Sequence, residues 1–158
     1  METIIFRRWS LEVDRGRSRE AHSQLTRGGA EECDCIPCKN FVAVRQHILV
    51  GEFRFLLDAL GIDAFRDVEV AHQCRLPSGL HSYGGWFHGV GRITAGGECQ
   101  REVGPGSYVP DLEVLSPHLS IGFRTACDLV REPFQGLPLF QLDIQAEVPW
   151  VISAPEPD

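Results

Sequence analysis

The sequence predicts an α+β domain, an antiparallel sheet of about six or seven strands with one helical element packed on it. Three observations lead there. Apolar residues recur at helical spacing over about residues 37 to 60, where Phe41, Val44 and Ile48 are followed by Phe53, Leu56, Leu57 and Leu60. Beyond residue 68 the pattern turns to alternation, clearest where Phe140, Leu142, Ile144, Ala146 and Val148 are interleaved with Gln141, Asp143, Gln145 and Glu147. The chain's 158 residues, 43% hydrophobic and 23% charged, suit one buried core.

The elements follow in chain order. Residues 4–13 read as a strand, because Trp9, Leu11 and Val13 alternate with Ser10 and Glu12. Asp14-Arg15-Gly16-Arg17 supplies turn chemistry, and a more polar strand from Ser18 to Leu25 completes an N-terminal hairpin. Arg27-Gly28-Gly29-Ala30 is expected to be a flexible connector. The helical element starts at Pro37, which suits a first helical turn because its missing N–H would be unpaired there, and is kinked or split at Gly51. Strands are expected over 68–75, 80–93, 98–103 after a Gly96-Gly97 turn, 107–115, 119–126 and the alternating C-terminal run. Residues 1–152 are read as a single domain and Ser153–Asp158 as a disordered tail.

A net charge of −7 and a pI near 5.3 argue against a nucleic acid partner, since neutralising phosphates needs a basic face. An acidic surface suits a basic protein partner. A run of only three apolar residues, Ile4 to Phe6, precedes Arg7 and Arg8, short of a secretory leader, and no run approaches the ~18 apolar residues of a membrane span, so a cytoplasmic protein with no membrane association is expected. In that compartment thiols stay reduced, and six cysteines read as ligands, catalytic groups or buried apolar residues.

Cys33, Cys35 and Cys38 stand within six residues at the start of the helical element. Zinc takes four S or N ligands at tetrahedral corners, and a Cys-x-x-Cys turn such as Cys35-Ile36-Pro37-Cys38 supplies two of them, with Cys33 as a third. The fourth is sought among His72, Cys74, His81, His88 and Cys99, with Cys74 and His81 favoured because they flank the Leu76–Gly79 turn. Thiol–disulfide exchange is the rival chemistry. Cys35-Ile36-Pro37-Cys38-Lys39 resembles the Cys-x-Pro-Cys-Lys of thioredoxin-like proteins, which implies a redox pair at a helix N-terminus. In that family a buried strand precedes the motif, whereas Arg27–Asp34 is polar and Gly-rich. Inert packing is the third possibility, and the better reading for the isolated Cys74, Cys99 and Cys127.

Tyr83, Trp86 and His88 form a possible pocket wall, since the intervening glycines allow close approach and the rings offer stacking area. The competing reading, and the favoured one, is a glycine-bulged strand whose aromatics fill the core.

The combination Cys33-x-Cys35-x-x-Cys38-x-Asn40-Phe41, Tyr83-Gly84-Gly85-Trp86-x-His88 and Val148-Pro149-Trp150-Val151 resembles a group of small uncharacterised bacterial proteins. The resemblance implies that the three segments belong to one unit and carries no activity with it. Two functions stay open. One is a binding or interaction domain with a structural zinc, of the inhibitor or immunity type. The other is an enzyme, either a zinc hydrolase or a thiol-disulfide oxidoreductase using Cys35 and Cys38.

Overall fold

Alternation in the two longest strands decides the architecture. In this computed structural model, which describes residues 1–49 and 51–158, the elements are β1 (Glu2–Phe6), β2 (Trp9–Val13), α1 (Arg15–Ser23), α2 (Gly29–Glu32), α3 (Ile36–Val44), a 3₁₀ turn (Arg45–His47), α4 (Gly51–Leu60), β3 (Glu69–Arg75), β4 (His81–Ala95), β5 (Gln100–Gly104), β6 (Ser107–Pro110), β7 (Glu113–Ser116), β8 (Leu119–Arg124) and β9 (Leu139–Val148). β4 and β9 pair antiparallel from His81↔Val148 to Val90↔Leu139 and form the spine of a seven-stranded sheet. Strand order is β1-β2-β4-β9-β8-β7, with β3 on the first half of β4. The class is α+β, as the pattern of the sequence predicts.

The core lies between this sheet and the helices. Trp9, Leu11 and Val13 of β2, Phe41 and Val44 of α3, Phe53, Leu57 and Leu60 of α4, and Phe123, Phe140 and Leu142 of β8 and β9 belong to one buried cluster. Helix α4 buries Phe53, Leu56, Leu57 and Leu60, the i, i+3, i+4, i+7 stripe. Each such side chain contributes about 1.5–3 kcal/mol by leaving water.

Several expectations are corrected. Ser18–Leu25 is not a returning strand, because most of it lies in α1, capped by Asp14 whose side chain accepts from Arg17 N at 3.0 Å. Its buried Ser18, Ala21 and His22 lie at helical spacing, but only one of them is strongly apolar, so the stripe is faint in the sequence. Residues 4–13 are broken by a tight turn at Arg7 (φ 51°) into the β1–β2 hairpin. The Gly96-Gly97 turn does not fold β5 back on β4: β5 pairs with β6 in a separate two-stranded sheet. Residues 107–115 are divided between β6 and β7.

The helical element is split, as the sequence suggests, into α3 and α4, with Gly51 at a left-handed φ of 55°. Val50, within the expected span, lies outside the described residues. Two further helices, α1 and α2, add to it. α2 occupies what reads as a flexible connector and is tied at its start, where Gly29 N donates to Asp67 O at 2.8 Å and Ala30 N to Asp67 Oδ2 at 2.9 Å. Glu31 of α2 also meets Arg45 at 3.4 Å and Arg66 at 3.7 Å. These ties fix the segment that carries the cysteines.

Candidate metal centre

Cys33 is the residue at which α2 ends, and its N–H still bonds Gly29 O at 3.2 Å. The chain then extends for two residues, and Cys35 caps the start of α3 with Pro37 in the first turn. A helical first turn rotates Cys38 inward, where it is buried with Sγ 3.9 Å from Val70 O. Cys35 is exposed and Cys33 partly so, with their sulfurs 3.2 Å apart. All three Sγ atoms lie within 4.8 Å of one another. With Zn–S near 2.3 Å, the sulfurs of a tetrahedral zinc site stand ~3.8 Å apart. The cluster therefore has the dimensions to hold a metal ion after small shifts.

The three thiols differ in acidity. Hydrogen bonds lower the pKa of Cys33 from its ordinary value, first from the backbone of Cys35 and then from the Cys35 and Cys38 thiols. Burial pushes Cys38 well above the ordinary thiol range, with its two neighbours adding to the effect. A buried thiol raised in this way is a poor nucleophile, and its deprotonation needs a compensating cation. An open groove of about 370 Å³ passes Cys33 and is lined also by Arg27, Glu31, Asp34, Lys39 and Val42.

Beneath α3 the three sequence segments meet. Asn40, fully buried, donates to Pro149 O at 3.2 Å and to Tyr83 Oη at 3.4 Å, and accepts from Val151 N at 2.8 Å. Tyr83 donates its hydroxyl to Pro37 O at 2.8 Å, within the Cys35–Cys38 turn. The knuckle is thus bonded to β4 and to the chain beyond β9 through one polar node.

His81 and Cys74 lie outside the sulfur group. His81 is fully buried with both ring nitrogens engaged, Nδ1 2.8 Å from His72 Nε2 and Nε2 2.7 Å from Glu156 Oε1. Cys74 follows a bulge after His72 that pairs it with Ser82, whereas Arg75 pairs with His81, so Cys74 is directed away from α3 and is exposed rather than buried. Among the described residues the group of close ligand atoms has three members. In the terminal segment Glu156 meets His81, and Trp150 Nε1 donates to Ala154 O at 2.9 Å.

Of the expected pocket wall, Tyr83 lies on one face of β4, and Trp86 and His88, two residues apart, lie on the other. Tyr83 is in the core against Phe41, at 5.3 Å between ring centroids. Trp86 donates Nε1 to Asp128 O at 3.2 Å. His88 lines a cleft of about 150 Å³ shared with Arg66, Asp67, Val68, Leu129 and Phe134. Of the isolated cysteines, Cys99 is buried beside Asp143, Sγ to Oδ2 3.5 Å, and burial raises both it and Cys127, the latter to about 11. His72, Asn40 and Glu156 carry structural weight that spacing alone did not assign. The only sequence signal for Asn40 is its place in the Cys38-Lys39-Asn40-Phe41 stretch.

His22 and His88 are both buried, and burial lowers each pKa below its ordinary value. Unfolded histidines take up protons near pH ~6.5, the folded ones only at lower pH, so stability is full above that value and declines as pH falls through the window beneath it. Asp67 acts oppositely at lower pH, since burial raises its carboxyl and acidification then relieves a buried charge. Urea midpoints measured from pH 8 down to pH 5 are expected to fall. A midpoint that rises over this interval contradicts the assignment.

No protein-family model, curated protein or solved structure matches the chain. No helix among the described residues is long and apolar enough to cross a membrane.

Proposed function

We propose that the protein is a small binding or interaction domain built around a zinc ion held by Cys33, Cys35 and Cys38. One observation carries the reading, the convergence of three sulfurs within 4.8 Å where α2 ends and α3 begins. A cation there compensates the deprotonation of buried Cys38 and cross-links the end of α2 to the start of α3. The net charge of −7 suits a basic protein partner, in the manner of an inhibitor or immunity protein.

A thiol oxidoreductase is the second reading. In its favour, Cys33 has a lowered pKa and its sulfur is 3.2 Å from that of Cys35. Against the Cys35–Cys38 pair, the preceding segment is α2 rather than a strand, and Cys38 is buried and weakly acidic.

Elemental analysis of protein purified without added metal separates the two. About one zinc per chain is expected, with Cys38→Ser retaining less than about a tenth of it, because the remaining two thiols form an incomplete set. A chelator is expected to lower the melting temperature of the wild type. Metal-free wild type whose melting temperature is indifferent to chelator overturns the proposal.

A further inference from the structure

A zinc held by three thiolates has one position left. We infer that His72 Nδ1 fills it, as the fourth ligand of a Cys₃His site, with Glu156 and His81 acting as the chain that orients the ring. The inference rests on the metal reading above.

Placement comes first. His72 and Tyr83 are cross-strand partners on β3 and β4, so their side chains share the face of the sheet that α3 covers. Their rings stand 5.2 Å apart edge to face. The Tyr83 hydroxyl bonds Pro37 O in the cysteine knuckle at 2.8 Å, and Cys38 Sγ rests 3.9 Å from Val70 O, two residues before His72 on the same strand. His72 is therefore beside the knuckle and on its side of the sheet. It is only partly buried and lies outside the group of sulfurs within 4.8 Å, so ligation requires its ring and the more exposed Cys33 and Cys35 to draw together around the ion.

Hydrogen-bond logic then selects the nitrogen. Glu156, an ionised carboxylate, can only accept, so His81 Nε2 donates to it across 2.7 Å. A neutral His81 then has its lone pair on Nδ1, which accepts from His72 Nε2–H at 2.8 Å. His72 in turn carries its lone pair on Nδ1, and among the described residues that nitrogen has no hydrogen-bond partner. A metal-binding histidine donates its second nitrogen to an acceptor that fixes tautomer and ring orientation, commonly a carboxylate, and here His81, itself bonded to Glu156, takes that place. His81, the middle of the chain, is fully buried and Trp150 lies 5.1 Å from it, so its ring is held in place between the partly buried His72 and the exposed Glu156. The terminal segment is thereby given a role: Arg75 holds Glu156 from a second side at 3.4 Å.

Cobalt(II) added to the chelator-stripped full chain tests this, because its visible absorption reports the ligand set. Wild type is expected to show the d–d bands of a tetrahedral site and thiolate charge transfer from three sulfurs. His72→Gln is expected to shift the d–d bands and weaken cobalt binding by about 10- to 100-fold. His72→Cys is expected to restore tight binding with charge transfer raised to that of four sulfurs, an outcome that simple loss of packing cannot produce. Glu156→Gln, which leaves the ligands in place, is expected to weaken binding less than His72→Gln does. If His72→Gln and His72→Cys both keep the wild-type spectrum and affinity, the inference is overturned and the three-cysteine site stands. If the wild type binds no cobalt, the metal reading itself fails.

Discussion

Asn40→Ala is expected to destabilise the protein by about 2–4 kcal/mol, read from urea unfolding. The side chain is fully buried and serves three partners at once, Pro149 O, Val151 N and Tyr83 Oη. Alanine leaves the backbone groups of the C-terminal segment without their partner and opens a void beneath α3, and burial leaves little room for water to replace the lost bonds. The loss is expected to spread to the knuckle, because Tyr83 bonds Pro37 O from the same node. Zinc retention by Asn40→Ala should therefore fall as well, although no ligand has been touched. A variant within 0.5 kcal/mol of wild type, a threshold set at about the scatter of ordinary surface substitutions, contradicts the node's role.

Trp9→Ala is expected to cost about 3–5 kcal/mol, the range for removing a large aromatic from a packed core. Trp9 is fully buried, lies edge to face with Phe123 at 5.6 Å, and donates Nε1 to Gly97 O at 3.0 Å. Gly96, at φ 102°, has no room for a side chain because a Cβ would come within 2.7 Å of Trp9 Cδ1. The indole thus organises the turn after β4 as well as the core. Trp9→Phe retains the stacking and loses the hydrogen bond, so it is expected to cost about 1–2 kcal/mol, less than alanine does. Thermal melts of the two variants check the order, and equal melting temperatures contradict it.

Much of this fold was legible in the sequence because its strong periodicities are also its buried faces. Phe140 to Val148 alternate and form β9, and Phe53 to Leu60 recur at helical spacing and form α4. α1 was hidden because two of its three inward residues, Ser18 and His22, are polar: Ser18 is buried to accept Val90 N at 2.8 Å, and His22 to reach His88 O at 2.9 Å. α2 was hidden because a four-residue helix has no periodicity to show and is held instead by Asp67, 37 residues from Ala30. Pairing was the least legible property, since the glycines at 96 and 97 announce a turn and say nothing of which strand lies beyond it.

The site was legible in the same measure. Three cysteines in six residues announce themselves, and local chain geometry alone brings their sulfurs together. Position beside a turn favours Cys74 and His81, yet a one-residue bulge in β3 is enough to send Cys74 to the other face. The engagement of His81 with His72 and Glu156 depends on a segment 75 residues further along, beyond the reach of spacing rules.

Zinc K-edge X-ray absorption on the purified full chain tests the central claim most directly, because it counts sulfur ligands apart from nitrogen or oxygen ones, gives their distances, and shows a histidine by the outer-shell scattering of its ring. The account predicts three sulfurs at ~2.3 Å and one nitrogen at ~2.0 Å from a single zinc. A zinc surrounded only by oxygen or nitrogen, or a protein that holds no zinc, contradicts it.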